Sequence, residues 1–362
     1  SSYLAFGATV EAEETLSDPE NRIKHVIVLM LENRAFDHFF GHFPGVDGLT
    51  GMEYNNVNAS DPESERVYVT ADAPYSNMCD PDHSLPGTSY KIFGPQQFAS
   101  GNLTQPTMSG FVEQEVVQDG FGSNVEYCNV MQGFTPERLP VMSTLASEFA
   151  IMDKFFASVP GPTWPNRAFA LTGTSSGLTE TGYWYQDQTN VLLPSKTIYD
   201  LVEETYGTWR HYYNDTPWEI FIKTVAHNTE NVFNMEHFYR DAAEGNLPDF
   251  AFINPRCGIN LTTMQGSNDD HPDHDVALGE QYVKDIYEAV RASPHWNRTV
   301  LIVTFDEHGG FYDHVAPPME GVPAPDDIAS FPDPGFRFDR LGMRIPAIII
   351  SPWISKGTIV SE

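Results

Sequence analysis

Ile23–Leu31 reads IKHVIVLML and runs directly into Glu32-Asn33-Arg34. A near-continuous apolar run of strand length, closed by a charged cluster, marks a strand buried on both faces of a sheet, where no side faces water. Asp249–Ile253, Thr299–Phe305 and Ile345–Ile350 have the same character, and Phe149–Phe155 reads as a further apolar strand. Helix-like stretches lie between them at Pro140–Ser147, Lys196–Thr205 and Val276–Ala292. The last carries Val276, Val283, Ile286, Tyr287 and Val290 at roughly helical spacing. Strands alternating with helices predict an α/β fold built on a mostly parallel, doubly wound sheet flanked by helices.

Two regions break the alternation. Thr50–Gly133 is rich in Gly, Pro, Asn and Asp, and Pro317–Gly342 in Pro and Asp. Both read as long insertions over the end of the sheet where such folds place their ligands. The first twenty residues read as an acidic arm, and residues 21–362 as one domain.

Fifty acidic residues against twenty basic ones give a formal net charge of −30. Such a surface repels nucleic acid and excludes duplex binding. It also repels anionic phosphate esters unless a cation or low pH offsets it. No apolar run reaches the ~18–20 residues of a membrane-spanning helix, so the chain reads as soluble. Five Asn-X-Ser/Thr sequons, at Asn58, Asn102, Asn214, Asn260 and Asn297, point to the secretory pathway. The chain begins at Ser1, as a processed chain would. Of the three cysteines, Cys79 and Cys128 are the expected disulfide, leaving Cys257 over. The expected location is extracellular.

Three apolar strands lead into polar clusters: Glu32-Asn33-Arg34, Asp306-Glu307-His308, and Pro160 to Arg167 after Phe149–Phe155. In a parallel sheet these ends converge. Glu32, Asn33, Asp306 and Glu307 would then supply hard oxygen ligands with excess negative charge, and a divalent cation is their natural occupant. Thr163, between Pro162 and Trp164-Pro165, precedes the helix-like Asn166–Leu171. Its hydroxyl would serve as an N-cap or as a nucleophile beside a cation, with helix amides ready for phosphate. Histidines cluster as well. His83 follows Asp80 and Asp82; His271 and His274 sit among Asp269, Asp270, Asp273 and Asp275; His308 and His314 close the Asp306–His314 segment. Histidines among carboxylates serve as ligands, proton donors or phosphate binders. For His308 a surface hydrogen bond to a neighbouring carboxylate is the simpler expectation.

Glu32-Asn33-Arg34-Ala35-Phe36-Asp37-His38, Pro162-Thr163-Trp164-Pro165-Asn166-Arg167, His271-Pro272-Asp273-His274-Asp275-Val276-Ala277 and Asp306-Glu307-His308-Gly309-Gly310-Phe311-Tyr312-Asp313-His314 resemble the signature segments of one phosphoesterase family. That family contains the bacterial and plant non-specific phospholipases C and some bacterial acid phosphatases. The resemblance spans about Arg22 to Lys356 and implies an alkaline-phosphatase-like α/β fold that hydrolyses phosphate esters. By position it implies that Glu32, Asn33, Asp306 and Glu307 hold a metal, with Thr163 as nucleophile and additional ligand. His83, His271, His274 and His314 would bind phosphate or transfer protons. Arg167 and Trp164 would contact substrate, and Asp270 with His274 permits a second metal. The chain departs from the family at Ala35, where relatives often carry Ser, and it stops at Glu362, where relatives usually continue.

The expected activity is a metal-dependent phospholipase C that releases diacylglycerol through a phosphothreonine intermediate. An acid phosphatase acting on phosphomonoesters with the same site is the alternative, and a non-catalytic secreted metal-binding module a third reading. The cation is expected to be Zn²⁺, which the histidines favour; Ca²⁺, Mg²⁺ and Mn²⁺ suit the oxygen ligands. The expected partner is a phospholipid or other phosphate ester at a membrane or micelle surface, with neither nucleic acid nor an obligate protein partner. Phe155, Phe156, Trp164, Tyr183, Trp184, Tyr185 and Trp353 are candidates for an apolar mouth, although such clusters more often pack as core or cleft wall.

Overall fold

The computed structural model describes residues 23–77, 79–118, 126–182, 192–258 and 266–362. The N-terminal arm, Tyr183, Trp184, Tyr185 and the Asn260 sequon lie outside the described residues. The strands are β1 (His25–Leu31), β2 (Tyr54–Asn56), β3 (Arg66–Tyr68), β4 (Ala150–Met152), β5 (Trp209–Tyr213), β6 (Val232–Asn234), β7 (Phe250–Asn254), β8 (Thr299–Phe305), β9 (Ala347–Ile350) and β10 (Thr358–Val360). The helices are α1 (Phe36–Phe40), α2 (Leu85–Ser100), α3 (Phe111–Gln118), α4 (Pro140–Glu148), α5 (Thr163–Thr172), α6 (Ile198–Glu204), α7 (Lys223–His227), α8 (Met235–Glu244) and α9 (Val276–Ala292). Eight strands form one sheet in the order β10-β4-β9-β8-β1-β7-β5-β6. Only β9 opposes its neighbours; the remaining pairings are parallel.

The apolar run that opens the chain is β1, and its two faces explain its composition. Ile27, Leu29 and Leu31, all fully buried, join a core with Met142 of α4, Phe238 of α8 and Ile286 of α9. Val26, Val28 and Met30 face the opposite layer, with Ala168 and Leu171 of α5 and Tyr199 of α6. Each fully buried aliphatic side chain contributes roughly 1.5–3 kcal/mol, so a polar residue on either face would be costly.

Three sequence readings need correction. The apolar stretch Phe149–Phe155 shortens to the three-residue β4. Strands β5, β6 and β10 were not expected; β5 reads WRHYY, and its charged residues hide it among apolar patterns. Residues 50–133 are not a bare excursion either. They carry the β2–β3 hairpin, α2 and α3, and a separate apolar cluster that includes Ile92, Phe93, Phe111, Val112 and Met131. The Cys79–Cys128 disulfide is present within that cluster.

A buried ion cluster ties α1 to the segment after β8. Arg344 is fully buried and donates to Asp37 Oδ1 at 2.8 Å and to Asp313 Oδ1 at 2.9 Å. Its Nη1 donates to the carbonyls of Asp47 and Asp153. Replacing Arg344 with Met would strand two buried carboxylates. The expected outcome is a loss of about 3–5 kcal/mol in denaturant unfolding, with Asp37→Asn in the Arg344→Met background recovering part of it.

Candidate active site

Parallel pairing of β1 with β8 sets Leu31 opposite Phe305, so the strands deliver Glu32 and Asp306 side by side. On the other side of β1, β7 ends at Asn254. Arg167, from α5, reaches under all three strand ends. Its Nε donates to Asp306 Oδ2 at 3.0 Å, and Nη1 donates to Glu219 Oε1 and Asn254 Oδ1, both at 3.0 Å. Nη2 lies 3.3 Å from the carbonyls of Met30 and Leu31 and 3.4 Å from Glu32 Oε1. The guanidinium is buried and every nitrogen is committed to the protein. The substrate-binding role expected for Arg167 is therefore replaced by a positioning one.

One guanidinium faces three carboxylates, and the imbalance shows in their acidities. Glu219 stays low, at about 2: burial would raise it, but His211, Arg167 and Asn254 outweigh that. Burial pushes Glu32 up to about 8 against the pull of Arg167, with Asp269 and Asp306 adding to the rise. Burial also raises Asp306, and lifts Glu307 well above the carboxylate range with Asp306 beside it.

Asn33 links the carboxylates to the nucleophile candidate. Its backbone, at φ 63°, donates from N–H to Asp306 Oδ1 at 3.1 Å. Its Oδ1 accepts from Thr163 Oγ1 at 3.3 Å, and its Nδ2 lies 3.4 Å from His83 Nε2. Gly309 permits this fold of the chain: a Cβ there would sit 1.9 Å from the Asn33 carbonyl oxygen. Thr163 is the first residue of α5, not its cap. Pro162 holds the cap position without a side-chain bond, so the buried Thr163 hydroxyl is not spent on capping.

The histidines form an arc beside this group. His83 Nδ1 donates to the Pro81 carbonyl at 2.8 Å, and burial lowers its pKa. Asp80 stands between His83 and His271, at 3.6 and 3.8 Å. His271 bonds Asp273 at 2.6 Å. Burial opposes its charge, but Asp273, Asp80, Glu32 and Asp269 outweigh that and hold it at about 9. His274 bonds Asp269 at 2.7 Å rather than Asp270, so the expected Asp270–His274 metal pair is not formed. Asp270 instead packs against α9 at Gly279, where a Cβ would lie 1.8 Å from its Oδ1.

Two further roles change. His314 gives both ring nitrogens to carboxylates, Nδ1 to Asp37 at 2.6 Å and Nε2 to Asp47 at 3.2 Å. It belongs to the Arg344 cluster, so the expected phosphate or proton role gives way to a structural one. His308 is buried rather than at the surface, with Nδ1 3.2 Å from Glu307 Oε2. Trp164 is half-buried and stacks on Phe221 at 4.8 Å, with its backbone N–H on Thr181, as part of the wall.

The donor set suits a divalent cation. Buried Glu307 Oε1 and Asp269 Oδ2 have no hydrogen-bond partner, and an unpaired carboxylate oxygen out of water is costly. Ligand atoms of Glu32, Cys257 and Asp269 lie within 4.8 Å of one another, as do those of His271, Asp273 and His274. Sequence reasoning missed Glu219, Asn254, Asp269 and Cys257. Asp269 stood beside the chosen Asp270, and Cys257 was visible as the odd cysteine; Glu219 and Asn254 carried no local signal.

These features define a buried, carboxylate-rich centre around a threonine at the carboxyl end of a parallel sheet. The chain belongs to the Phosphoesterase family, which it matches over residues 23–362. It is 43% identical to non-specific phospholipase C6 of Arabidopsis thaliana over 353 residues, 95% of this chain and 64% of that protein. It is 26% identical to phospholipase C A of Mycobacterium tuberculosis over 386 residues, 94% of this chain and 70% of that protein. The chain spans a little under two thirds of the length of the Arabidopsis relatives it matches. A solved protein of the alkaline phosphatase superfamily from Vibrio parahaemolyticus shares 14% identity at a TM-score of 0.35, covering 61% of this chain and 56% of that one.

The raised carboxyls make metal-free stability fall with pH. Glu32 moves from 4.5 to about 8, so its contribution is present below 4.5 and is lost as pH rises through 8. Glu307 and Asp270 shift the same way. Metal-stripped protein is expected to lose thermal stability between pH 5 and pH 8, and added divalent cation to restore it; a flat profile in stripped protein would contradict this account.

Proposed function

We propose that this chain is a metal-dependent phospholipase C that cleaves the glycerol-side phosphodiester bond of phospholipids through a phosphothreonine at Thr163. The observation that carries the reading is the Thr163 hydroxyl. It is buried at the start of α5, not used for capping, and 3.3 Å from Asn33 within the carboxylate cluster. The phospholipase C names of the relatives support the substrate class. A divalent cation held by Glu32, Asn33, Asp306 and Glu307 together with Thr163, with Zn²⁺ the proposed ion, would acidify the hydroxyl and offset phosphate charge.

The chain's own groups divide the remaining work. The positive end of the α5 dipole faces the arriving phosphate. Thr163 Oγ1 forms the bond to phosphorus as its proton passes to the neutral His83 at Nε2. The charged His271 gives a proton to the departing glyceryl oxygen, releasing diacylglycerol. Water then attacks the phosphothreonine and yields a proton to His271, while Thr163 recovers its proton from His83 and the phosphorylated headgroup leaves. Asp80 holds both rings in place, and His274 acts through Asp269.

Secretion fits the Cys79–Cys128 bridge and the exposed sequons at Asn58, Asn102 and Asn297. Asn214 is half-buried and engaged by Arg256, a poorer acceptor for glycan. One observation favours the phosphomonoester alternative. Phe155 packs against the main core, Trp164 stacks on Phe221, and Trp353 donates to the Asn297 carbonyl, so these rings do not form a free apolar rim.

The purified chain should release diacylglycerol from phosphatidylcholine, and chelation should abolish it. Thr163→Ala should lower turnover by roughly four orders of magnitude or more, with the cation retained by the four remaining ligands Glu32, Asn33, Asp306 and Glu307. Hydrolysis of p-nitrophenyl phosphate alone would make the protein a phosphatase. Bound metal without turnover on either ester would leave a binding module, and full activity in Thr163→Ala would end the mechanism.

A further inference from the structure

Glu32, Cys257 and Asp269 come from three separate segments: the end of β1, the loop after β7, and the loop before α9. One ligand atom from each lies within 4.8 Å of the other two. Cys257 is the cysteine left over from the disulfide, and its Sγ is 3.4 Å from Glu32 Oε1. Asp269 is fully buried. Its Oδ1 is occupied by His274 and by the His271 backbone, while Oδ2 has no hydrogen-bond partner. Arg167 sits 3.4 Å from Glu32 Oε1 and is shared with Asp306 and Glu219.

We infer that Cys257, Glu32 and Asp269 form a ligand set for a thiophilic divalent cation of the zinc class. The inference rests on reading the carboxylate cluster as a metal centre, and places beside its Asn33, Thr163, Asp306 and Glu307 ligands a second position that shares Glu32 and has a sulfur ligand the proposed mechanism does not use. The spacing agrees. With Zn–S about 2.3 Å and Zn–O about 2.0 Å, a tetrahedral angle separates the two ligand atoms by about 3.5 Å, against the 3.4 Å between Cys257 and Glu32. The bare structure offers a competing use for the thiol, as a weak hydrogen-bond donor to Glu32. Binding replaces that bond: the sulfur–metal bond forms as the thiol proton passes to solvent. Sulfur also discriminates among cations, since Mg²⁺ and Ca²⁺ prefer all-oxygen shells whereas Zn²⁺, Co²⁺ and Cd²⁺ accept thiolate.

Titration of the metal-stripped full chain with Co²⁺ tests this directly. The expected result is a saturable near-ultraviolet sulfur-to-cobalt charge-transfer band that is lost in Cys257→Ser and kept in Thr163→Ala. As a measurement that needs no variant to fold, Cd²⁺ should slow the reaction of the single free thiol of the wild-type chain with a disulfide reagent, and Mg²⁺ should not. Absence of cobalt binding, binding without the band, a band that survives in Cys257→Ser, or a thiol equally reactive with and without Cd²⁺ would overturn the ligand set. Phospholipid turnover without the band would overturn it and leave the phospholipase reading standing. The band without turnover would support it while ending that reading.

Discussion

Arg167 is a single guanidinium placed under the carboxyl ends of three adjacent parallel strands. Its planar fork meets Asp306 from β8, the last carbonyls of β1 and Asn254 from β7, and takes in Glu219 besides. No other side chain offers five donors in so fixed an array. The strand ends therefore share one register at the point where chemistry is expected. Because one positive charge serves three carboxylates, the arrangement remains short of cation. The raised pKa of Glu32 and the orphaned oxygens of Glu307 and Asp269 are two signs of that shortfall.

The remaining groups are arranged around this deficit. Asn33 turns the chain at a positive φ and touches Asp306, Thr163 and His83 from one residue. The turn requires the close approach of Gly309, which comes from the same segment as Asp306 and Glu307. Behind it, Asp37, Asp313, His314 and Arg344 form a second buried ion cluster whose charges are better matched. The two clusters look alike in sequence, since both draw on Glu32–His38 and Asp306–His314. They differ in the supply of positive charge: one has Arg344 beside a His314 that Asp37 and Asp313 hold up at about 9 against burial, and the other shares a single arginine among more acids.

Legibility in the sequence followed from local physics. β1, β7, β8 and α9 were readable because strands covered on both faces and a long amphipathic helix impose continuous patterns. β5 was not, because Arg210 reaches out to Asp241 and His211 is paired inside with Glu219, so its polar residues broke the apolar pattern. Glu32, Asn33, Thr163, Asp306 and Glu307 stood out because each belongs to a dense motif. Glu219 and Asn254 owe their roles to folding alone, and nothing beside them in the chain announces it. Arg167 was found but misassigned, since a motif arginine beside an expected phosphate looks like a ligand until its five donors are counted.

The site residues are also spread along almost the entire chain, from Glu32 through Thr163, Glu219 and Asp269 to Glu307. Contacts of such sequence separation form only after the large loops between them have closed, which makes them late and entropically expensive. Glu32 and Asn33 are made first during synthesis, yet the strand that lies beside β1 and carries their acidic partners emerges nearly three hundred residues later. Until then the carboxyl end of β1 has no neighbour on that edge. Completion of the site thus waits on the pairing of β8 with β1, and any fragment ending before β8 holds half a site.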